Sequence, residues 1–133
     1  KAGSMTVHEI HGTTRRNYCM RCGRRYDENY IYDSSEQIPH CECGGIVRCD
    51  VTLYEESLPE EAVEGAIRDI SRAEMLIIGG TSLSVYPASS YIHYFRGRYL
   101  VVINRDKLDI GIHSENTMEI NEKIGEVFEF LAK

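Results

Sequence analysis

The sequence has 133 residues, about the size of one domain, and 42% of them are hydrophobic, which is enough to bury a core. It carries 15 Lys and Arg against 21 Asp and Glu, for a formal net charge of −6. This balance argues against a nucleic-acid surface built on excess positive charge. No apolar run approaches the roughly 20 residues that span a bilayer, and no signal-peptide pattern is present. We therefore expect a cytoplasmic protein without nucleic-acid or membrane partners.

All five cysteines fall between positions 19 and 49, in two close pairs and one single residue. The pairs are Cys19-x-x-Cys22 and Cys41-x-Cys43, and a glycine follows each of them. Zinc favours four thiolates in a tetrahedron, so the pairs predict a structural zinc site without an open position for chemistry. Because the second pair has the shorter spacing, His40 or Cys49 could replace one ligand. The simpler interpretation is that both paired cysteines bind and Cys49 is a buried apolar residue.

The remaining sequence predicts alternating helices and strands. A strand-like segment from Asp50 to Glu56 precedes a helix with Ser57 as its cap and Pro59 in its first turn. The apolar run at 75–78 predicts a strand buried on both faces, and a second run follows at 99–103. A crossover helix at 87–95 would make these two strands parallel, and a short strand at 117–120 and a helix at 124–131 complete an α/β fold.

A glycine-rich turn, Gly79-Gly80-Thr81-Ser82, follows the first apolar run. Exposed backbone N–H groups and two hydroxyls at such a turn can bind phosphate or ribose. Asn104, at the end of the second apolar run, stands where a dinucleotide fold places a ribose-binding polar residue. The competing interpretation is a turn that merely needs small residues.

His11 is the one histidine with a suggestive context. Alternation places Val7, Glu9 and His11 on one face of an extended segment, and Gly12 leaves the ring uncrowded. An imidazole has an ordinary pKa near ~6.5, which suits a general base at neutral pH, although a lone histidine is more often not catalytic. The strand-like segment before the first helix is either a connecting edge strand or an edge that pairs with an extended peptide.

Taken in order, these motifs resemble the sirtuins, the NAD-dependent protein-lysine deacylases. They are His11-Gly12, the two cysteine pairs, Val51 to Pro59, Gly80-Thr81-Ser82-Leu83-x-Val85-x-Pro87-Ala88, Ile103-Asn104 and Lys123-Ile124-Gly125-Glu126-Val127. The resemblance implies the second half of a Rossmann-like parallel sheet with a small four-cysteine zinc module. It divides the chain into a linker with the catalytic histidine (1–14), the zinc-binding module (15–50) and the C-terminal part of an NAD-binding domain (51–133).

The resemblance also implies a role for each matching residue. His11 would deprotonate a ribose hydroxyl of NAD, so that the acyl group is transferred to ADP-ribose and nicotinamide is released. The structural zinc ligands would be Cys19, Cys22, Cys41 and Cys43. The residues that contact NAD would be Gly80, Thr81, Ser82, Asn104, Arg105, Lys123 and Ile124. The acylated lysine peptide would lie along Val51, Thr52, Tyr54, Glu55 and Val85.

Two departures from the sirtuin pattern bear on function. The family's Phe-Gly-Glu segment is Tyr54-Glu55-Glu56 here, so the glycine is replaced. The Gly-Ala-Gly-Ile-Ser cofactor loop, the Phe-Arg after it and the Gln-Asn-Ile-Asp segment precede the catalytic histidine in the family and have no match in this sequence. We therefore expect the chain to correspond to the C-terminal half or more of a bacterial-type sirtuin. The alternatives are a non-catalytic zinc- and nucleotide-binding fragment that acts in interaction, or a protein ADP-ribosyltransferase.

Overall fold

The computed structural model describes residues 3–133. These residues form two compact units, one ending at Val63 and the other spanning Glu64–Lys133. The first two residues of the predicted 1–14 segment lie outside the described residues, and the three-part division stays a prediction. Across the described range, no helix has the length and apolar character needed to cross a membrane.

The first unit contains a three-stranded antiparallel sheet and one short helix. Its strands are β1 (Gly12–Cys19), β2 (Arg25–Asp27) and β3 (Val47–Val51), in the order β2-β1-β3. Helix α1 spans Glu28–Tyr32, and the Asp27 carboxylate caps it by accepting the Tyr30 N–H at 3.1 Å. The sequence pattern missed α1 because five residues are too few to show a helical period.

The segment after β3 is shorter and more irregular than predicted. The strand ends at Val51, and a turn replaces the expected continuation to Glu56. Helix α2 spans Glu60–Arg72, so Ser57 is not its cap. The Pro59 carbonyl accepts the Val63 N–H at 3.0 Å instead.

The second unit is built on a parallel sheet, as the fold prediction required. Its strands are β4 (Met75–Gly79), β5 (Tyr99–Ile103) and β6 (Asn116–Ile120), in that spatial order. Helix α3 spans Ile124–Leu131. The connection between β4 and β5 contains a 3₁₀ helix at Ala88–Tyr94 rather than the predicted α-helix at 87–95. Its hydrogen bonds join residues three apart, as from the Phe95 N–H to the Ile92 carbonyl at 3.0 Å.

The two faces of this sheet differ in burial. One face supplies Ile78, Leu100 and Val102 to a core, with Leu100 at 0% relative exposure. On the other face, Ile77 and Met118 remain about half exposed and lie beside the apolar residues of α3. The prediction that β4 is buried on both faces is therefore wrong for the described structure. The sequence could not show this difference, because a strand in a parallel sheet can have the same run of apolar residues whether one or both of its faces are covered.

Candidate functional site

Four cysteine sulfurs lie close together in the first unit. They belong to Cys19, Cys22, Cys41 and Cys43, and all four lie within 4.8 Å of one another. The Sγ atoms of Cys19 and Cys43 are 3.5 Å apart, and those of Cys22 and Cys41 are 3.6 Å apart. A tetrahedron with Zn–S bonds of ~2.3 Å has edges of about 3.8 Å. The cluster thus has the donor atoms and the size of a structural zinc site.

Two tight turns present these sulfurs. The Gly23 N–H donates to the Cys19 carbonyl at 2.9 Å, and the Gly44 N–H donates to the Cys41 carbonyl at 2.7 Å. Both glycines have a left-handed backbone, with φ of 72° and 80°, which explains why a glycine follows each cysteine pair. Arg21 joins the two turns, because its backbone N–H contacts the Cys19 sulfur at 3.3 Å and its guanidinium donates to the Cys43 carbonyl at 2.8 Å.

The electrostatics of the cluster also suit a cation. The backbone of Cys43 and the Tyr26 side chain lower the pKa of Cys41 to about 6. Although the Gly45 backbone lowers the pKa of Cys43, the neighbouring cysteine side chains outweigh it and raise that pKa to about 12. The neighbouring cysteines therefore oppose the ionisation of Cys43, and a divalent cation would remove that opposition.

The alternative zinc ligands lie outside the cluster. The His40 ring contacts the Glu36 carboxylate at 2.9 Å between Nδ1 and Oε2. Cys49 lies on β3 and pairs with Asn17 of β1. Neither side chain belongs to the group of sulfurs that can share a metal ion, which favours the four-cysteine set.

The second unit contains a pocket that forms a second candidate site. A pocket of about 420 Å³ is lined by all seven residues expected to contact NAD. These residues are Gly80, Thr81, Ser82, Asn104, Arg105, Lys123 and Ile124, and Asp106 and Leu108 join them. The pocket lies beyond the carboxyl ends of β4 and β5 and at the beginning of α3, the usual ligand position in parallel α/β sheets. Asp106 and Leu108 were not predicted from the sequence, although both lie within three residues of Arg105.

The Asn104 side chain holds two segments of the pocket together by hydrogen bonds. Its side-chain oxygen accepts the Thr81 N–H at 3.1 Å, and its amide nitrogen donates to the Asp106 carbonyl at 2.8 Å. The Gly80 N–H donates to the Ile103 carbonyl at 3.1 Å. The N–H groups of Gly80 and Thr81, which the sequence analysis expected to be free for phosphate, are therefore already bonded. The pocket also offers side-chain chemistry.

That chemistry consists of hydroxyls and cations. The hydroxyls of Thr81 and Ser82 lie on one loop, and Arg105 and Lys123 supply positive charge. Lys123 donates to Glu126 at 2.7 Å, and this contact raises the pKa of its ammonium group. Hydroxyl donors and cations beside the first turn of a helix suit the ribose and phosphate groups of a nucleotide.

His11 lies in a turn of the first unit and is exposed, rather than on one face of an extended segment. The Gly12 N–H donates to the Glu9 carbonyl at 2.8 Å, and the Thr52 N–H donates to the His11 carbonyl at 3.0 Å. Gly12 does more than leave room for the ring, because it has a φ of 73° and any Cβ there would overlap the Asp50 carbonyl oxygen. The alternation pattern could not detect this contact, which comes from a strand distant in sequence.

The predicted peptide edge is an ordered turn rather than a strand. Val51 ends β3, Thr52 follows it, and Tyr54 is fully exposed, with 100% relative accessibility. Glu55, at the position of the family's glycine, has a left-handed φ of 70°. Val85 belongs to the second unit and is exposed.

An ion pair that the sequence analysis missed holds this turn. The Arg48 guanidinium donates to both oxygens of the Glu56 carboxylate, at 2.7 and 3.1 Å, and the Leu53 N–H donates to the same group at 2.9 Å. Arg48 and then the Leu53 N–H lower the pKa of Glu56 to about 2. The Arg48–Glu56 pair therefore fixes the backbone on which Tyr54 and Glu55 lie.

The family model described as the Sir2 family matches residues 1–87. The chain belongs to the Sir2 family. This confirms the predicted sirtuin relationship and, with the parallel sheet and the cysteine cluster, the predicted fold class.

Two curated sirtuin relatives illustrate the similarity. The chain is 46% identical over 129 residues to an NAD-dependent protein deacetylase of Clostridium acetobutylicum, covering 96% of this chain and 52% of that protein. It is 50% identical over 128 residues to an NAD-dependent protein deacetylase of Clostridium perfringens, covering 95% and 51%. The chain thus spans about half the length of the curated relatives it matches.

Solved sirtuin structures share the fold. A structure of Sir2Tm bound to a propionylated peptide matches with a TM-score of 0.84 and 29% identity, covering 97% of this chain and 56% of that one. A complex of Sir2, p53 peptide and NAD⁺ matches with a TM-score of 0.82 and 30% identity, covering 97% and 55%.

Proposed function

We propose that this chain belongs to an NAD-dependent protein-lysine deacylase of the sirtuin type. This enzyme transfers the acyl group to ADP-ribose and releases nicotinamide. The observation that carries the proposal is the pocket at the carboxyl ends of β4 and β5. Its lining unites every residue that the sirtuin resemblance assigned to NAD, although these residues come from three separate stretches of sequence. The names of the relatives, which are NAD-dependent protein deacetylases, support the same activity.

In this proposal NAD supplies the ribose that receives the acyl group. Thr81, Ser82 and Arg105 bind its hydroxyl and phosphate groups, and Asn104 holds the Thr81 loop in place through its hydrogen bond to the Thr81 N–H. His11 would take the proton of a ribose hydroxyl at a ring nitrogen. The backbone bonds on both sides of His11 limit where its ring can lie.

The proposed substrate is a peptide that carries an acylated lysine and binds in an extended conformation. We propose that Val51, Thr52, Tyr54, Glu55 and Val85 contact it. Thr52 and the turn fixed by the Arg48–Glu56 pair would offer backbone and side-chain contacts along the peptide. This agrees with a relative whose solved structure contains a propionylated peptide.

Zinc would have a structural role. Cys19, Cys22, Cys41 and Cys43 would occupy all four positions of a tetrahedral ion, so zinc would hold the two turns together and leave no position for substrate. Because reduced thiols are needed for this site, we propose a reducing, cytoplasmic location.

A chimaera tests the proposed function. The chain replaces the matching 128 residues of the Clostridium perfringens deacetylase, which cover 51% of that protein. The product is incubated with NAD and an acetyl-lysine peptide, and the reaction is followed by mass spectrometry. We expect deacetylated peptide with equimolar nicotinamide and O-acetyl-ADP-ribose. ADP-ribosylated protein in place of O-acetyl-ADP-ribose would favour the transferase alternative, and no NAD turnover by a folded chimaera would favour the non-catalytic one.

A further inference from the structure

Glu55 lies in the turn that follows β3 and has an uncommon backbone conformation. Its φ of 70° is left-handed, and its side chain is exposed. A residue with a Cβ rarely adopts this conformation, whereas glycine, which the sirtuin pattern has at this position, adopts it freely. The glutamate side chain therefore does not serve the geometry of the turn. An outlier of this kind points to a role in function rather than in folding.

Hydrogen bonds on both sides of Glu55 hold the turn that bears it. The Arg48 guanidinium binds both oxygens of the Glu56 carboxylate and also donates to the Val51 carbonyl at 2.8 Å. The Glu56 N–H donates to the Leu53 carbonyl at 3.2 Å. Because these bonds fix the backbone before and after Glu55, its side chain projects from a defined position.

Glu55 also differs in charge pairing from the acids around it. The acidic residues among 50–56 are Asp50, Glu55 and Glu56. Arg16 binds Asp50 at 3.0 Å, and Arg48 binds Glu56 at 2.7 Å. Within the part of the chain that the structure describes, the Glu55 side chain has no hydrogen-bond or ion-pair partner. Its negative charge is therefore available to a cation from another molecule.

This carboxylate lies at the edge proposed to bind the peptide substrate. Strand β3 is an outer strand in the order β2-β1-β3, and an outer strand can pair with an extended peptide. The turn at 52–56 directly continues β3. A peptide bound along this edge would pass the Glu55 carboxylate.

We propose that Glu55 selects substrates in which a lysine or arginine is adjacent to the acylated lysine. The carboxylate attracts a flanking cation and repels a flanking carboxylate, which a glycine at this position cannot do. The proposal rests on the proposed deacylase function and its peptide edge. Because an exposed ion pair is weak and is screened by salt, the preference should be about two- to fivefold and should decline as ionic strength rises.

Two acetyl-lysine peptides test this proposal with the chimaera described above. They differ only in the residues on either side of the acetyl-lysine, which are arginine in one peptide and glutamine in the other. At low ionic strength, we expect kcat/KM to be about two- to fivefold higher for the arginine peptide. The ratio should approach one in Glu55→Gly and fall below one in Glu55→Lys.

Glu129→Lys is the matched control, because it makes the same change of charge at an exposed position on α3. It should keep the ratio of the unsubstituted chimaera, which separates a local effect of Glu55 from the net charge of the protein. An unchanged ratio in an active Glu55→Lys chimaera would overturn the proposal and leave the deacylase function standing.

Peptide binding in the absence of NAD provides a second measurement that does not depend on turnover. Fluorescence anisotropy of the two labelled peptides gives the ratio of their dissociation constants. We expect the arginine peptide to bind about two- to fivefold more tightly at low salt, and the two affinities to converge at high salt. This preference in a chimaera that consumes no NAD would support Glu55 selection while the deacylase function fails. Equal affinities at low salt, or no binding of either peptide, would contradict the proposal.

Discussion

Substituting Gly12 by alanine tests how the turn bearing His11 is built. A left-handed backbone costs an L-residue ~1–2 kcal/mol, and Gly12 has a φ of 73°. The added Cβ would also overlap the Asp50 carbonyl oxygen, so β1 and β3 must separate where Gly12 pairs with Val51. Losing one or two ladder hydrogen bonds costs ~0.5–1.5 kcal/mol each. We therefore expect Gly12→Ala to lower the free energy of unfolding by about 1.5–5 kcal/mol in total.

Gly23→Ala is the matched control. Its φ of 72° is nearly the same, but a Cβ there would meet no atom within 4 Å. Gly23→Ala should lower the free energy of unfolding by only about 1–2 kcal/mol, which is the cost of a left-handed backbone at an L-residue. Urea denaturation followed by circular dichroism, in the presence of zinc, measures both variants. If the two lose the same stability, the close approach of the Asp50 carbonyl contributes nothing and our account of this turn is refuted.

Three further substitutions test other parts of the structure. In Gly45→Ala, the new Cβ would lie 2.7 Å from the Cys19 sulfur, so chelator competition should show about tenfold or weaker zinc binding; unchanged affinity would contradict this. Because the pKa of Glu56 is lowered to about 2, its ionised carboxylate stabilises the fold above pH 4.5. This contribution is lost as the pH falls from about 4.5 towards 2. Glu56→Gln removes the charge that Arg48 binds, so urea unfolding should show a deficit at pH 6 that vanishes near pH 2; a deficit independent of pH would argue against the ion pair. Leu100→Ala, at a site with 0% exposure, should cost about 2–5 kcal/mol in the same assay, and a loss below about 1 kcal/mol would contradict its place in the core.

Local patterns were the reliable part of the sequence analysis. The run at 99–103 coincides with β5, Tyr99–Ile103, because a short apolar run flanked by breaking residues specifies a buried strand. The cysteine pairs converge as expected, since each pair and its glycine form a self-contained turn. The pocket residues come together for a similar reason, as the carboxyl ends of adjacent parallel strands meet at one edge of the sheet.

What the sequence could not predict depends on contacts between distant residues. The bend that ends β3 at Val51 is fixed by Arg48 and Glu56, which no periodic pattern connects. The turn at His11 requires the approach of Asp50 to Gly12, across 38 positions of sequence. The hydrogen bond from the Thr81 N–H to Asn104, which removes an expected phosphate ligand, likewise joins two separate loops.

The role of His11 in a deacylase is the central claim, and its substitution in the chimaera tests it most directly. General-base catalysis contributes ~10²–10⁴-fold to a rate. His11→Ala should therefore lower kcat/KM for NAD-dependent deacetylation by at least about a hundredfold, with zinc content and circular dichroism unchanged. His8→Ala, which removes an imidazole three positions away, should retain activity. Activity of His11→Ala within a few fold of the unsubstituted chimaera would contradict the account.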